Sequence, residues 1–485
     1  MSSTMMLKYC ARAPQTRLSF SVTRSLSTRA LGYTLTVPGT DTRVHVGLSN
    51  VTLEAPAAGV TQPFVFDYHW LRDACRTPTS VHPSTQQKLF HTTDVPLTAE
   101  GDTLLSIAER PVCLGGTETA PELHIEYSPR HAVINEFTRT FSPEAVRVPE
   151  APHVARIPLS LMLEHAVAER YAASHCDVIG VAEPWDAKTL SDQKRPLSIP
   201  WAQVKSSDGL LDLLTAALRD GFAFITGLPT DTTSSKPGPD AAALRELATT
   251  VGDLRNTLYG PLWDVQSIAN SRNIAYTNLD LGFHMDLLYF QNPPRFQLLH
   301  MLRKTVTGGQ NLFVDSFKVA EHMWEHHRDE WEALANTPVA FQYVNAGEHY
   351  YYTHPTFERA LPTEGHAGPP LKGTMPRLAA VNYSPPFQAP LPLQSPSLRD
   401  PEMRALFLRA LNRFARLTHD KRMIFSRALE PGECVIFDNR RVLHSRTGFE
   451  WNESASGHIG RWLKGCYVEG DSLWSRYRAL RRTKM

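Results

Sequence analysis

Apolar and polar positions alternate along the early part of the chain and later give way to a mixture of two periods. Within the segment 36–150 and just before it, short runs such as Tyr33–Val37, Val44–Val46 and Leu123–Tyr127 alternate with period two, separated by Pro, Gly, Asn and Asp. Such alternation puts every second side chain on one face of a strand, so a small all-β domain is predicted there. Pro149, Pro152 and Pro158 interrupt the pattern, and a helix at Leu159–Ala173 and the proline-punctuated stretch Pro184–Pro200 follow. This reads as a connector over 151–200. Beyond it, Leu210, Leu211, Leu214 and Leu218 recur with helical spacing behind Ser207–Asp208 and ahead of Gly221. The β run Phe222–Thr226 comes next, then a helix over Asp240–Val251. Met403, Phe407, Ala410, Phe414 and Leu417 mark one face of a helix that Pro401 opens. Strands are predicted at Arg295–Leu302, Asn311–Val314, Leu378–Asn382 and Cys434–Phe437. Many short strands with a few helices predict a jelly-roll over 201–485, mainly β with flanking helices.

Composition narrows the function classes. Hydrophobic residues at 42% and charged residues at 20% exclude disordered and collagen-like chains. A formal net charge of +1 provides no field to gather nucleic acid or an anionic membrane. No apolar run reaches the ~18 residues needed to span a bilayer. Neither nucleic acid nor membrane is therefore expected as a partner. The six cysteines are scattered without a C-x-x-C pair, which argues against a disulfide framework or a zinc ribbon. Residues 1–35 stand apart: Lys8, Arg12, Arg17, Arg24 and Arg29 lie among Ser and Thr, and no acid precedes Asp41. That is the composition of a mitochondrial transit segment; a basic tail on a cytoplasmic protein is the alternative.

The candidate chemistry lies in His284-Met285-Asp286 and the distant His444. In an extended strand, residues two apart project from one face, so one metal can reach both His284 and Asp286. Two imidazoles and one carboxylate form a facial triad with open positions, the arrangement of non-haem Fe(II) oxygenases. An H-x-D pair alone is weak, since the chain has 20 His. The ordered set is stronger: the pair, the turn Thr307-Gly308-Gly309, His444, and then Arg461. A 2-oxo acid that chelates the metal presents a distal carboxylate, which a guanidinium can grip with two parallel hydrogen bonds. Arg461 is the candidate for that role.

Several runs carry a resemblance: Gly282–Asp286, Pro293–His300, Thr305–Gly309, Val314–Phe317 and Phe437–His444. From about residue 60 onwards the chain resembles the γ-butyrobetaine and trimethyllysine hydroxylase branch of the TauD/TfdA-like (clavaminate-synthase-like) dioxygenases. The resemblance implies a double-stranded β-helix behind a small β domain. It also implies hydroxylation of an aliphatic carbon with Fe(II), 2-oxoglutarate and dioxygen, with ascorbate as reductant, and it allows for a homodimer. It places Tyr259, Trp263, Tyr276 and Tyr467 at aromatic-cage positions. A quaternary ammonium has no N–H to donate and is recognised by ring faces. Asn273 falls where the trimethyllysine enzymes resemble one another in carrying an acid. Its amide can donate to a carboxylate, so γ-butyrobetaine is preferred, with Asn382 as a second carboxylate partner. Trimethyllysine, another small metabolite, and an inactive module that merely binds a methylated ammonium remain as alternatives.

The resemblance also implies a structural zinc in the first domain, held by three close cysteines and a later histidine. Here only Cys75 and His131 correspond, while Thr77 and Ser80 stand at the other two positions. Structural zinc is four-coordinate through Cys and His, so no zinc is expected, and His82 and His91 are the other histidines nearby.

Overall fold

The computed structural model describes residues 32–47, 50–92, 112–117, 120–127, 153–167, 170–171, 182–230, 242–266, 281–345, 347–360, 373–451 and 460–483. The chain divides into two compact units, 1–171 and 172–485.

The first unit is built on the predicted alternation. Tyr33–Thr36, Arg43–Val46, Asn50–Ala55 and Val60–Asp67 form an antiparallel meander. Val112–Thr117, Ala120–Tyr127 and His153–Pro158 form a second, three-stranded sheet. Val44, Val46, Val51 and Leu53 from the first sheet and Leu123, Ile125, Ala155 and Ile157 from the second enter a single core. This corrects the connector predicted for 151–200. His153–Pro158 pairs along its length with Ala120–Tyr127, because its alternate residues Ala155 and Ile157 have a face to bury. The helix after it ends at Ala166, packs Leu159 and Met162 into the same core, and stays with this unit. Trp185, by contrast, is fully buried in the second unit, where its indole N–H donates to the Asp220 carbonyl at 2.6 Å.

The second unit is a sandwich of two sheets. The larger runs in the order Leu254–Arg255, Arg461–Val468, Phe296–Lys304, Cys434–Asp438, Phe222–Thr226, Ser198–Pro200, with Trp263–Gln266 also paired to Arg461–Val468. The smaller runs Leu281–His284, Val442–Arg446, Asn311–Asp315, Ile424–Arg427. This is the predicted jelly-roll. Alternate residues of the larger sheet face two cores. Ala223, Ile225, Leu298, Ile436 and Cys466 pack outward under the helices Ser207–Arg219, Ala242–Val251 and Gly470–Arg482. Phe222, Phe224, Val435, Phe437 and Leu463 point inward against Phe313 and Val442 of the smaller sheet. Both faces of Phe222–Thr226 are thus covered, which is why that run is continuously apolar. Each buried Phe contributes ~1.5–3 kcal/mol, and Phe222 stacks on Phe313 with centroids 5.5 Å apart.

Candidate metal centre and cavity

His284 ends the strand Leu281–His284 and pairs directly with His444 in the middle of Val442–Arg446, which brings their rings to a centroid distance of 4.2 Å. The backbone leaves the strand at Met285, so Asp286 sits in a turn and not in the extended run that its spacing suggested. Asn439 makes that turn possible. Its side-chain oxygen accepts from the Asp286 N–H at 2.8 Å, and its amide donates to the Asp286 and Pro294 carbonyls at 3.0 and 3.1 Å. Leu287, the next residue, holds a left-handed φ of 60°, a conformation that non-glycine residues rarely adopt. The result is a carboxylate turned back beside two imidazoles: Asp286 Oδ1 lies 3.4 Å from His284 Nε2, and Oδ2 lies 4.0 Å from His444 Nε2. Ligand atoms of all three residues fall within 4.8 Å of one another, close enough for a single ion.

The donor set fits iron. His284 Nδ1 donates to the Gly282 carbonyl at 2.9 Å, which turns Nε2 toward Asp286 as the ring's ligand atom. Burial pushes Asp286 up, but the hydrogen bonds from His284 and the Tyr467 hydroxyl outweigh it and hold the carboxyl well below its usual range. Burial, reinforced by His284, drives His444 down to about 3, so its imidazole stays neutral and able to ligate.

The triad opens into a cavity of about 120 Å³ between the two sheets. At one end lie Arg446, two residues beyond His444, and Arg461, at the start of Arg461–Val468. Both are buried, and burial together with the Arg446 charge pushes Arg461 down to about 9. Five aromatic residues also line it, with aliphatic and polar residues between them. Trp263 packs against Tyr467 at 4.3 Å and Tyr259 at 6.3 Å between centroids. Tyr289 and Phe387 add a wall that sequence reasoning missed; they lie 5.3 Å apart, edge to face. Neither carried a periodic or spacing signal, because Tyr289 comes from a turn and Phe387 from the three-residue 3-10 helix Pro385–Phe387.

Of the predicted site residues, the cavity brings together His284, Asp286, His444, Arg461, Tyr259, Trp263 and Tyr467. Asn273, Tyr276 and His131 lie outside the described residues. Asn382 is a correction: it is buried, its amide donates to the Pro355 carbonyl at 2.8 Å and to Glu358 at 3.3 Å, and it does not line the cavity. Asn439 was missed as well. Asn439 could have been suspected from its place in the polar run just before His444.

In the first unit the histidine at Cys75 is His153, its Nε2 3.4 Å from the thiol, with Thr77 Oγ1 at 3.1 Å from Cys75 and Ser80 Oγ 3.5 Å from Thr77. Burial raises the Cys75 thiol, but hydrogen bonds from His153, Ser80 and Thr77 outweigh it and draw it down to about 6. His82 is engaged locally, by Ser84 and the Thr85 N–H. One thiol, one imidazole and two hydroxyls do not fit a four-coordinate zinc.

Residues 186–467 match the family described as Taurine catabolism dioxygenase TauD, TfdA family. Dioxygenase str8 of Strobilurus tenacellus is 37% identical over 419 residues, covering 86% of this chain and 85% of that protein. The γ-butyrobetaine dioxygenase of Pseudomonas sp. (strain AK-1) is 29% identical over 413 residues, 85% of this chain and 90% of that one. The mitochondrial trimethyllysine dioxygenase of Rattus norvegicus is 26% identical over 437 residues, 86% and 82%. The family match spans more than half of the chain and a relative above 30% identity spans most of it, so the chain belongs to the TauD/TfdA family and is a 2-oxoglutarate-dependent dioxygenase.

Proposed function

We propose that the enzyme hydroxylates an aliphatic carbon of a small trimethylammonium compound, and that the compound is γ-butyrobetaine, giving carnitine. The observation that carries this reading is the cavity lining. Five aromatic residues, Tyr259, Trp263, Tyr289, Phe387 and Tyr467, line it beside the triad, and among the described residues Asp286 is its one acidic side chain. A primary ammonium needs an acceptor for each N–H, whereas a quaternary ammonium needs ring faces, each contributing ~0.5–2 kcal/mol. Likeness to γ-butyrobetaine and trimethyllysine dioxygenases supports the same class. Fe(II) held by His284, Asp286 and His444 would supply oxidative decarboxylation of 2-oxoglutarate and oxygen activation. The chain's own residues bind and orient. Arg461 meets the distal carboxylate of 2-oxoglutarate, with Arg446 beside it, and the rings hold the substrate so that one C–H faces the metal. The resemblance assigns the Asn273 amide to the substrate carboxylate, which favours γ-butyrobetaine over trimethyllysine. The acid-free, basic composition of residues 1–35 and the mitochondrial relative support a mitochondrial location.

Purified protein incubated with Fe(II), ascorbate and 2-oxoglutarate should release succinate and a hydroxylated product faster with γ-butyrobetaine than with trimethyllysine. Equal or better turnover of trimethyllysine removes the Asn273 argument. If neither betaine is hydroxylated while 2-oxoglutarate is still consumed, the trimethylammonium reading fails and the dioxygenase chemistry stands.

A further inference from the structure

Asp286 has two carboxylate oxygens, and the open positions that the chemistry requires are kept only if one of them stays off the metal. The Asn439 side chain holds the Asp286 backbone on both its N–H and its carbonyl. The remaining freedom is rotation of the carboxylate itself, a soft torsion. Tyr467 stops that rotation: its hydroxyl donates to Oδ2 at 2.7 Å, while Oδ1 is the oxygen 3.4 Å from His284 Nε2. The same Tyr467 ring lines the cavity and packs on Trp263. It is almost wholly buried, so water does not compete for its hydroxyl.

We propose that Tyr467 is a positioning residue that fixes Asp286 as a one-oxygen ligand, and that it thereby joins the aromatic wall and the metal site into one unit. A hydroxyl hydrogen bond to a carboxylate is charge-assisted and among the stronger neutral-donor contacts. Partners of this kind behind a metal ligand typically change metal affinity ten- to a hundredfold when removed. Without the hydroxyl the carboxylate is no longer held in the orientation that keeps Oδ2 on Tyr467 and Oδ1 beside His284, so metal binding must supply that ordering itself. The ring's part in this inference rests on the trimethylammonium reading above; the hydroxyl's part concerns only the metal site.

Two variants separate the parts. Tyr467→Phe keeps the ring and removes the hydroxyl; Tyr467→Leu removes both. Anaerobic Fe(II) titration and γ-butyrobetaine binding are measured on the full chain, with thermal melts of the metal-free protein alongside. Tyr467→Phe should weaken Fe(II) binding by roughly tenfold or more, with the metal-free melt unchanged and γ-butyrobetaine binding within about threefold of wild type. Tyr467→Leu should weaken both ligands. Wild-type Fe(II) affinity in Tyr467→Phe, or a loss accounted for by a lowered metal-free melt, overturns the positioning role. Wild-type γ-butyrobetaine binding in Tyr467→Leu overturns the ring's role, and the trimethylammonium reading with it, while leaving the hydroxyl's role intact.

Discussion

At the scale of single residues, Arg441 has surroundings that set it apart from Arg446 and Arg461. Arg441 is almost fully buried, pairs with Asp315 at 2.6 Å, and donates to the carbonyls of Glu183, Leu218 and Arg219. Arg446 and Arg461 face the cavity. Arg461→Ala should therefore raise the 2-oxoglutarate KM roughly ten- to a hundredfold, the equivalent of a charge-assisted bond worth ~1.5–3 kcal/mol, with a smaller effect on kcat. Arg441→Leu should leave that KM unchanged and instead lower stability by ~3–5 kcal/mol in denaturant titration, because Asp315 is left as a buried charge. An Arg441 variant with a raised KM and normal stability would reverse this assignment. The sequence led to His284, Asp286, His444 and Arg461, which the fold gathers around one cavity, because the chemistry expected of them dictates residue type and order. It did not reveal where Asn382 points: an Asn in an apolar strand carries no sign of which polar group will claim its amide, and here Pro355 and Glu358 do.

At the scale of elements, legibility followed periodicity. Phe222–Thr226 was delimited by its apolar run and Gly221, and Pro401–Thr418 by Pro401 and its apolar stripe. The helices Ser316–His326 and Arg328–Asn336 escaped because His, Glu and Lys dilute their apolar faces. The hairpin of Pro338–Asn345 with Glu348–Pro355 escaped because the outer part of its first strand buries neither face fully, so no alternation is imposed. The turn after His284 was illegible for a different reason: it is stabilised from 153 residues away, by Asn439. Asn439→Ala leaves the Asp286 N–H and carbonyl without side-chain partners, each loss costing ~1–3 kcal/mol where buried. We expect a lowered thermal midpoint together with at least roughly tenfold weaker Fe(II) binding by anaerobic titration. Loss of stability with wild-type metal affinity in the folded protein would show that the turn does not depend on this amide.

For the whole molecule, the division into a small β unit and a jelly-roll was readable from the change of hydrophobic period, but its border was not. Prolines signal interruption without saying whether the next strand joins the sheet before or after it, and His153–Pro158 joined the one before. The first unit packs around its own core, with the Cys75, Thr77, Ser80 and His153 side chains close together. Purified wild-type protein should contain far less than one zinc per chain, whereas Thr77→Cys with Ser80→Cys should take up zinc near one per chain and gain thermal stability that a chelator removes. Stoichiometric zinc in the wild type, measured by elemental analysis, would contradict the two-ligand reading.

One strand has a consequence for how such an enzyme can change. Along Arg461–Val468, Arg461, Leu463 and Tyr467 line the cavity, and Gly465 sits where any Cβ would come within 2.7 Å of the Trp263 indole. These are alternate positions, so they share one face of the pleat. A slip of one residue would send the arginine, the tyrosine and the bare patch under the tryptophan to the opposite face at once. The strand therefore works as a keyed bar, whose teeth stay aligned only while its register holds. The turn carrying Leu287 and Tyr289 and the short 3-10 helix carrying Pro386 and Phe387 also line the cavity but lie outside that strand, so a change of side chain there leaves its register untouched.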